Sequence, residues 1–189
     1  MDQTNQKYRE IFLNKTIDNI RFYNINENYM VFDPEHKWVI EVGIEIVMGG
    51  KLISFAWNSE MLLYDITEGE ITDLTGELNI FEIDFSDHEN ILNLKGKIVR
   101  DVILKWSWYQ EMDDEMEIKE EKIYIPQEIR LETEDGQILQ IATVVFKLKD
   151  FEMKNLMYDS QSMMLVTLNQ PVEILEPEPS PEMQEEDEE

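Results

Sequence analysis

Cysteine is absent from this chain. Its absence excludes disulfides, thiolate metal sites and cysteine nucleophiles. It suits a reducing cytoplasm, although many secreted bacterial proteins also lack the residue. Long apolar runs are missing too: none approaches the ~20 residues needed to span a bilayer. Met1–Lys7 has no apolar core of the kind a signal peptide carries. The expected setting is therefore cytoplasmic and away from membranes.

Histidine is limited to His36 and His88. Carboxylates flank both, in Asp33-Pro34-Glu35-His36 and in Asp87-His88-Glu89, which a His/carboxylate metal site would use. A turn and the first turn of a helix account for the same residues, since acidic side chains favour the positive end of a helix dipole. Gly49-Gly50 lacks the further glycines and the Lys-Ser/Thr pair of a phosphate loop. No serine stands in a Gly-x-Ser-x-Gly elbow or a Ser-x-x-Lys pair. Neither a metal, a cofactor nor a catalytic residue is expected.

The scarcest resource is positive charge. Lys and Arg number 16 against 42 Asp and Glu, a formal net charge of -26 over 189 residues. Nine of the acidic residues fall between Pro171 and Glu189, where no basic residue occurs; residues 1–170 keep 33 acidic against 16 basic ones, a net -17. Such a surface repels nucleic acid and anionic membranes and attracts basic partners or cations. It also opposes compaction, so added salt should stabilise the fold.

What is present is core-forming material. Hydrophobic residues make up 42% and aromatics 10% of the chain, more than a disordered acidic chain carries. Tyr8, Ile11 and Phe12 at i, i+3 and i+4 predict a short helix stopped by Asn14. Period-two alternation then predicts strands over 17–25, 38–48, 51–57, 80–85, 98–108, 137–148 and 163–168. In 38–48 the core set is Trp38, Ile40, Val42, Ile44, Ile46 and Met48. Residues 61–66 read only as an apolar stretch, 71–78 as a short strand or edge, and 124–132 as a further segment with Pro126 near its start. Gly49-Gly50 and Asp135-Gly136 mark hairpin turns. Ser86 with Glu89 predicts a capping box, and Lys95-Gly96 the end of that helix.

The fold class expected is α+β, mostly antiparallel β. The halves 1–84 and 85–170 correspond: Asn14–Ile17 with Gly96–Val99, Ile20 and Phe22 with Val102 and Leu104, Ile44–Ile46 with Ile129–Leu131, and Leu52 and Phe55 with Ile138 and Ile141. This is the pattern of a tandem helix–strand–hairpin duplication; the alternative is a chance likeness among apolar-rich hairpins. Residues 171–189, with four prolines and the terminal Glu-Glu-Asp-Glu-Glu, read as a disordered acidic tail.

Two readings of the next feature stay open. Trp106 and Trp108 share a strand face, with Lys105, Ser107 and Tyr109 opposite. Facing inward, the tryptophans are core. Facing outward, they form a hot spot beside the acidic stretch that follows. The candidate partner-binding residues are Trp106, Trp108, Tyr109, Glu111, Asp113, Asp114, Glu115 and Glu117. These carboxylates do not have EF-hand spacing. The leading expectation is a non-enzymatic acidic protein that engages and blocks a basic protein, as toxin-immunity proteins and DNA mimics do, without contacting nucleic acid itself. The alternatives are an adaptor in a phage or bacterial assembly and, third, a carboxylate- or metal-dependent enzyme.

Overall fold

The computed structural model describes residues 2–26, 30–33, 36–85, 88–112, 118–150 and 152–177. It is mostly antiparallel β-sheet with three short helices among the described residues. Helix α1 (Asp2–Phe12) buries Tyr8, Ile11 and Phe12 and ends where Asn14 adopts φ 58°, a left-handed C-terminal cap. Strand β1 (Ile17–Asn24) follows, then the edge strand β2 (Met30–Asp33), which the alternation did not reveal.

The run expected as one strand over 38–48 is two: β3 (Lys37–Ile40) and β4 (Gly43–Met48). Its apolar set is buried throughout, but the ladder is broken between them. The Glu41 N–H donates to Asn24 Oδ1 at 2.8 Å instead of to a strand. A Cβ on Gly43 would lie 2.5 Å from the Phe55 carbonyl oxygen. The break lets the chain pass from one sheet to the other.

Strands β5 (Lys51–Asn58) and β6 (Leu63–Glu68) complete the first sheet's meander. Residues 71–78, expected as extended, instead carry the one-turn helix α2 (Thr72–Thr75), with Ile71 and Leu74 buried on one side. Strand β7 (Phe81–Ile83) leads to helix α3 (Glu89–Leu92). The N-cap of α3 is His88, with no side-chain cap bond, rather than Ser86; Ser86 and Asp87 lie outside the described residues.

The second half comprises β8 (Val99–Met112), β9 (Ile118–Thr133), β10 (Ile138–Lys149), β11 (Glu152–Tyr158) and β12 (Met163–Leu168). Strand β11 was not anticipated, and the acidic stretch before Tyr124 is already strand from Ile118.

One sheet has the order β6-β5-β4-β1-β7; the other has β2-β3-β12-β10-β9-β8, with β11 beside the far end of β10. They enclose one core. Ile20, Phe22, Ile44, Ile46 and Phe55 come from the first sheet, Trp38, Val102, Ile129, Leu131 and Ile141 from the second, and Phe12 from α1.

The same registers recur in both halves. Ile20 faces Ile46 and Phe22 faces Ile44, as Val102 faces Leu131 and Leu104 faces Ile129. Ile44 faces Phe55 as Ile129 faces Ile141. A bulge separates Ile17 from Asn19 and Val99 from Asp101. The two strand entries also bond to each other reciprocally. Asn14 N–H donates to Val99 O and Gly96 N–H to Ile17 O; Ile17 N–H donates to Lys97 O and Val99 N–H to Lys15 O.

Each sheet has an outer face, and each is covered by the segment that leaves its last meander strand. Over the first sheet, Ile71, Leu74 and Ile80 cover Tyr23, Val42 and Ala56. Over the second, Val172 and Ile174 cover Val39, Val144 and Leu165. Residues 172–175 form a strap: Leu175 N–H donates to Leu156 O and Tyr158 N–H to Leu175 O, and Ile174 is 6% exposed. The segment read as a tail from Pro171 therefore begins as fixed structure; residues 178–189 lie outside the described residues.

Candidate functional site

The predicted aromatic site falls on the part of the β8–β9 hairpin that has no counterpart in the first half. Strand β9 pairs with β10 only from Glu128 onward, whereas β8 and β9 stay paired out to Met112 and Ile118. Trp106 lies at the base of this ribbon, where it packs against the core. Its ring is 5.8 Å from that of Tyr8, and its indole N–H donates to Asn5 Oδ1 at 3.4 Å. Trp106 is thus half-buried against the core.

Trp108, two residues on, is 42% exposed, with Lys122 Nζ 3.7 Å from its ring centroid, a cation–π contact. Tyr124 is its register partner, and Tyr109 is half-buried. The ribbon separates the two tryptophans because it extends beyond the core. Glu111 belongs to β8 by its backbone; Asp113, Asp114, Glu115 and Glu117 lie outside the described residues.

A second acidic surface carries no motif. Between Lys51 and Lys95 there are ten acidic residues and no Lys or Arg. In the fold this run starts in β5, continues through the edge strand β6, crosses the outer face of the first sheet and ends in β7 and α3. Glu60, Glu68, Glu70, Asp73, Glu77, Glu82, Asp84 and Glu89 are exposed. Glu68 pairs with Lys51 at 2.9 Å. Leu62 (61% exposed), Leu78, Phe81 and Leu92 protrude within the same run. The absence of cations over so long a run was the signal available in sequence.

Two carboxylates are buried instead, one on each outer face. Glu45 accepts hydrogen bonds from the Tyr23 hydroxyl at 2.7 Å and the Ile71 N–H at 2.8 Å, and pairs with Arg21 at 2.8 Å. Glu128 accepts from the Tyr158 hydroxyl and from the Gln140 amide at 3.0 Å, and pairs with Arg130 at 2.9 Å. Gln140 in turn accepts from Val172 N–H at 2.8 Å. Each glutamate therefore fastens a covering segment. Burial, then the bond to the glutamate, pushes the Tyr23 and Tyr158 hydroxyls well above the ordinary tyrosine range.

The histidines have local roles. His36 Nδ1 lies 3.0 Å from Leu168 O. The His88 ring packs edgewise on Trp38 and Phe85, with centroids 5.2 and 4.9 Å away. Among the described residues no group of three or more His, Cys, Asp or Glu is arranged to hold a metal ion. A cleft of about 180 Å³ between β1, β7 and α3 is lined by Arg21, Glu82, Asp84, Leu92 and Lys95 among others; it is below the ~300 Å³ usual for small-molecule sites. No described helix is long and apolar enough to cross a membrane. Comparison of the chain with protein families, curated proteins and solved structures gave no match.

Proposed function

We propose that this chain is a non-enzymatic acidic binding protein that engages and blocks a basic protein. The observation that carries the reading is the run from Leu52 to Leu94, which wraps one sheet with carboxylates and no cation. Carboxylates so arranged mimic a phosphate surface, steer a cationic partner and occupy its binding site. Leu62, Leu78, Phe81 and Leu92, exposed within that surface, supply the apolar anchors a protein interface uses. The ribbon adds Trp108, and the acidic residues predicted beyond it extend the same charge. A toxin-neutralising or DNA-mimic role is the specific form this takes.

We also infer a tandem duplication of one helix–strand–hairpin unit. Its support is the repeated register and the reciprocal bonds between Asn14–Ile17 and Gly96–Val99.

The test is binding to a basic protein with the triple variant Glu70→Lys, Asp73→Lys, Glu77→Lys beside the wild type. Affinity should fall at least tenfold in the variant, and wild-type affinity should drop steeply with salt. Binding unaffected by both changes would remove the proposal. A second reading, assembly through a sheet edge, has one observation in its favour: β2 is an edge strand with Met30 and Val31 exposed. Salt-resistant self-association at micromolar concentration would favour it.

A further inference from the structure

We propose that two copies of this chain pair edge to edge through β8, antiparallel and about a twofold axis at Trp108. A sheet edge is a row of unpaired backbone N–H and C=O groups, and folds protect it by shortness, bulges, charge or cover. The other edges are protected in these ways. Strand β7 has three residues, and β2 has four with a bulge between Val31 and Asp33. Strand β6 carries Asp65 and Glu68. The strap bonds along β11 through Leu175. Strand β8, by contrast, has 14 residues and ends the second sheet. Helix α1 covers only its base, where the Arg9 guanidinium donates to Val102 O.

Beyond Val102 no strand pairs with this edge among the described residues. Because Val102 O faces outward, alternation turns the N–H and C=O groups of Leu104, Trp106 and Trp108 the same way. The irregularity between Lys105 and Trp106 leaves that alternation intact, since the extra residue, Gln127, is on β9. Pro126, which has no N–H to give, stands opposite Trp106, as this parity requires.

The occupant is a second copy because β8 is complementary to itself. Two chains at -26 repel, so they approach most easily where neither is charged. Residues 106–110 carry no charge, proline or glycine, and residues 123–127 beside them on β9 are uncharged too. The flanking charges are Lys105, Glu111 and Lys122, with Lys122 Nζ 3.7 Å from the Trp108 ring centroid. An antiparallel pair centred on Trp108 sets position 106 against 110 of the second copy, 107 against 109, and 105 against 111. Lysine therefore meets glutamate on both sides of the centre, and the outward-facing positions meet each other. The twofold axis closes the contact at two chains. The acidic surface of the first sheet takes no part in it.

The chain has no cysteine, so single cysteines read the register. A hydrogen-bonded antiparallel pair holds its Cα atoms ~5.5 Å apart, within reach of a disulfide. Under mild oxidation Trp108→Cys should give a linked dimer at least tenfold faster than Val31→Cys on the β2 edge or Lys51→Cys on the first sheet. An equal mixture of Ser107→Cys and Tyr109→Cys chains, which keep Trp108, should link to each other faster than either links to itself. Sedimentation of the wild type at high micromolar concentration should show a dimer that grows with added salt, because screening weakens the repulsion; binding of a basic protein responds to salt in the opposite sense. Equal rates at the three positions, fastest linking at Val31, or a wild type that stays monomeric at every salt concentration would each overturn the proposal.

Discussion

At the residue scale, buried polar groups hold the outer faces together. The Tyr158 hydroxyl donates to Glu128, whose charge is also met by Arg130 and Gln140. Tyr158→Phe removes one donor from a buried carboxylate and should destabilise the fold by about 1–2 kcal/mol in urea unfolding. Equal stability would contradict the fastening role.

Asp65 is the opposite case. Burial raises its carboxyl above the ordinary value, against the lowering effect of the Ile66 N–H and Asn58. A folded-state pKa above the unfolded one means that the folded state favours the proton. Stability from this group is present at low pH and is lost as pH rises through the folded pKa. Asp65→Asn should therefore stabilise the protein at pH 7, with the gain shrinking as the pH falls through the folded pKa. Unfolding curves at pH 7 and at pH 4 check the sign; a loss at neutral pH would contradict the account. Little at this scale was legible in sequence. Glu45 and Glu128 look like any of the other acidic residues until the fold buries them, and Trp106 and Trp108 differ only in which side of the core's edge they reach.

At the scale of elements, period two was the strong signal. It located β1, β4, β5, β8, β10 and β12, and the turns at Gly49-Gly50 and Asp135-Gly136, because glycine there supplies the left-handed φ of 54° and 79° in the first and 80° in the second. It missed β2 and β11 because edge strands bury little and need no clean alternation. It joined β3 to β4 because the apolar pattern continues through Glu41-Val42 while the hydrogen bonding does not. That passage depends on Gly43. Gly43→Ala should cost about 2–3 kcal/mol, since its Cβ meets the Phe55 carbonyl oxygen and Ala56. Truncation after Gln170 should cost about 3 kcal/mol by removing Val172 and Ile174 from the outer cluster, and truncation after Pro177 far less. Melting curves of the two truncated chains, compared with the full chain, decide this; equal curves would mean the strap contributes nothing.

At the scale of the whole molecule, net charge and its placement matter more than any single residue. The charge of -26 was plain from composition, and so was the α+β, sheet-rich class. The three-dimensional placement was not: the long cation-free run becomes a surface because the chain through α2 carries it across the outer face of the first sheet, from the edge strand β6 to the opposite edge strand β7 and on to α3. Self-repulsion across that side should make the melting temperature rise with added salt. The decisive measurement is capture of a basic protein on the immobilised chain at low salt, eluted by a salt gradient. The Glu70→Lys, Asp73→Lys, Glu77→Lys variant is run beside it. One basic partner should elute at moderate salt and be lost from the variant. Retention by the variant, or recovery of nothing but the chain itself, would contradict the proposed binding.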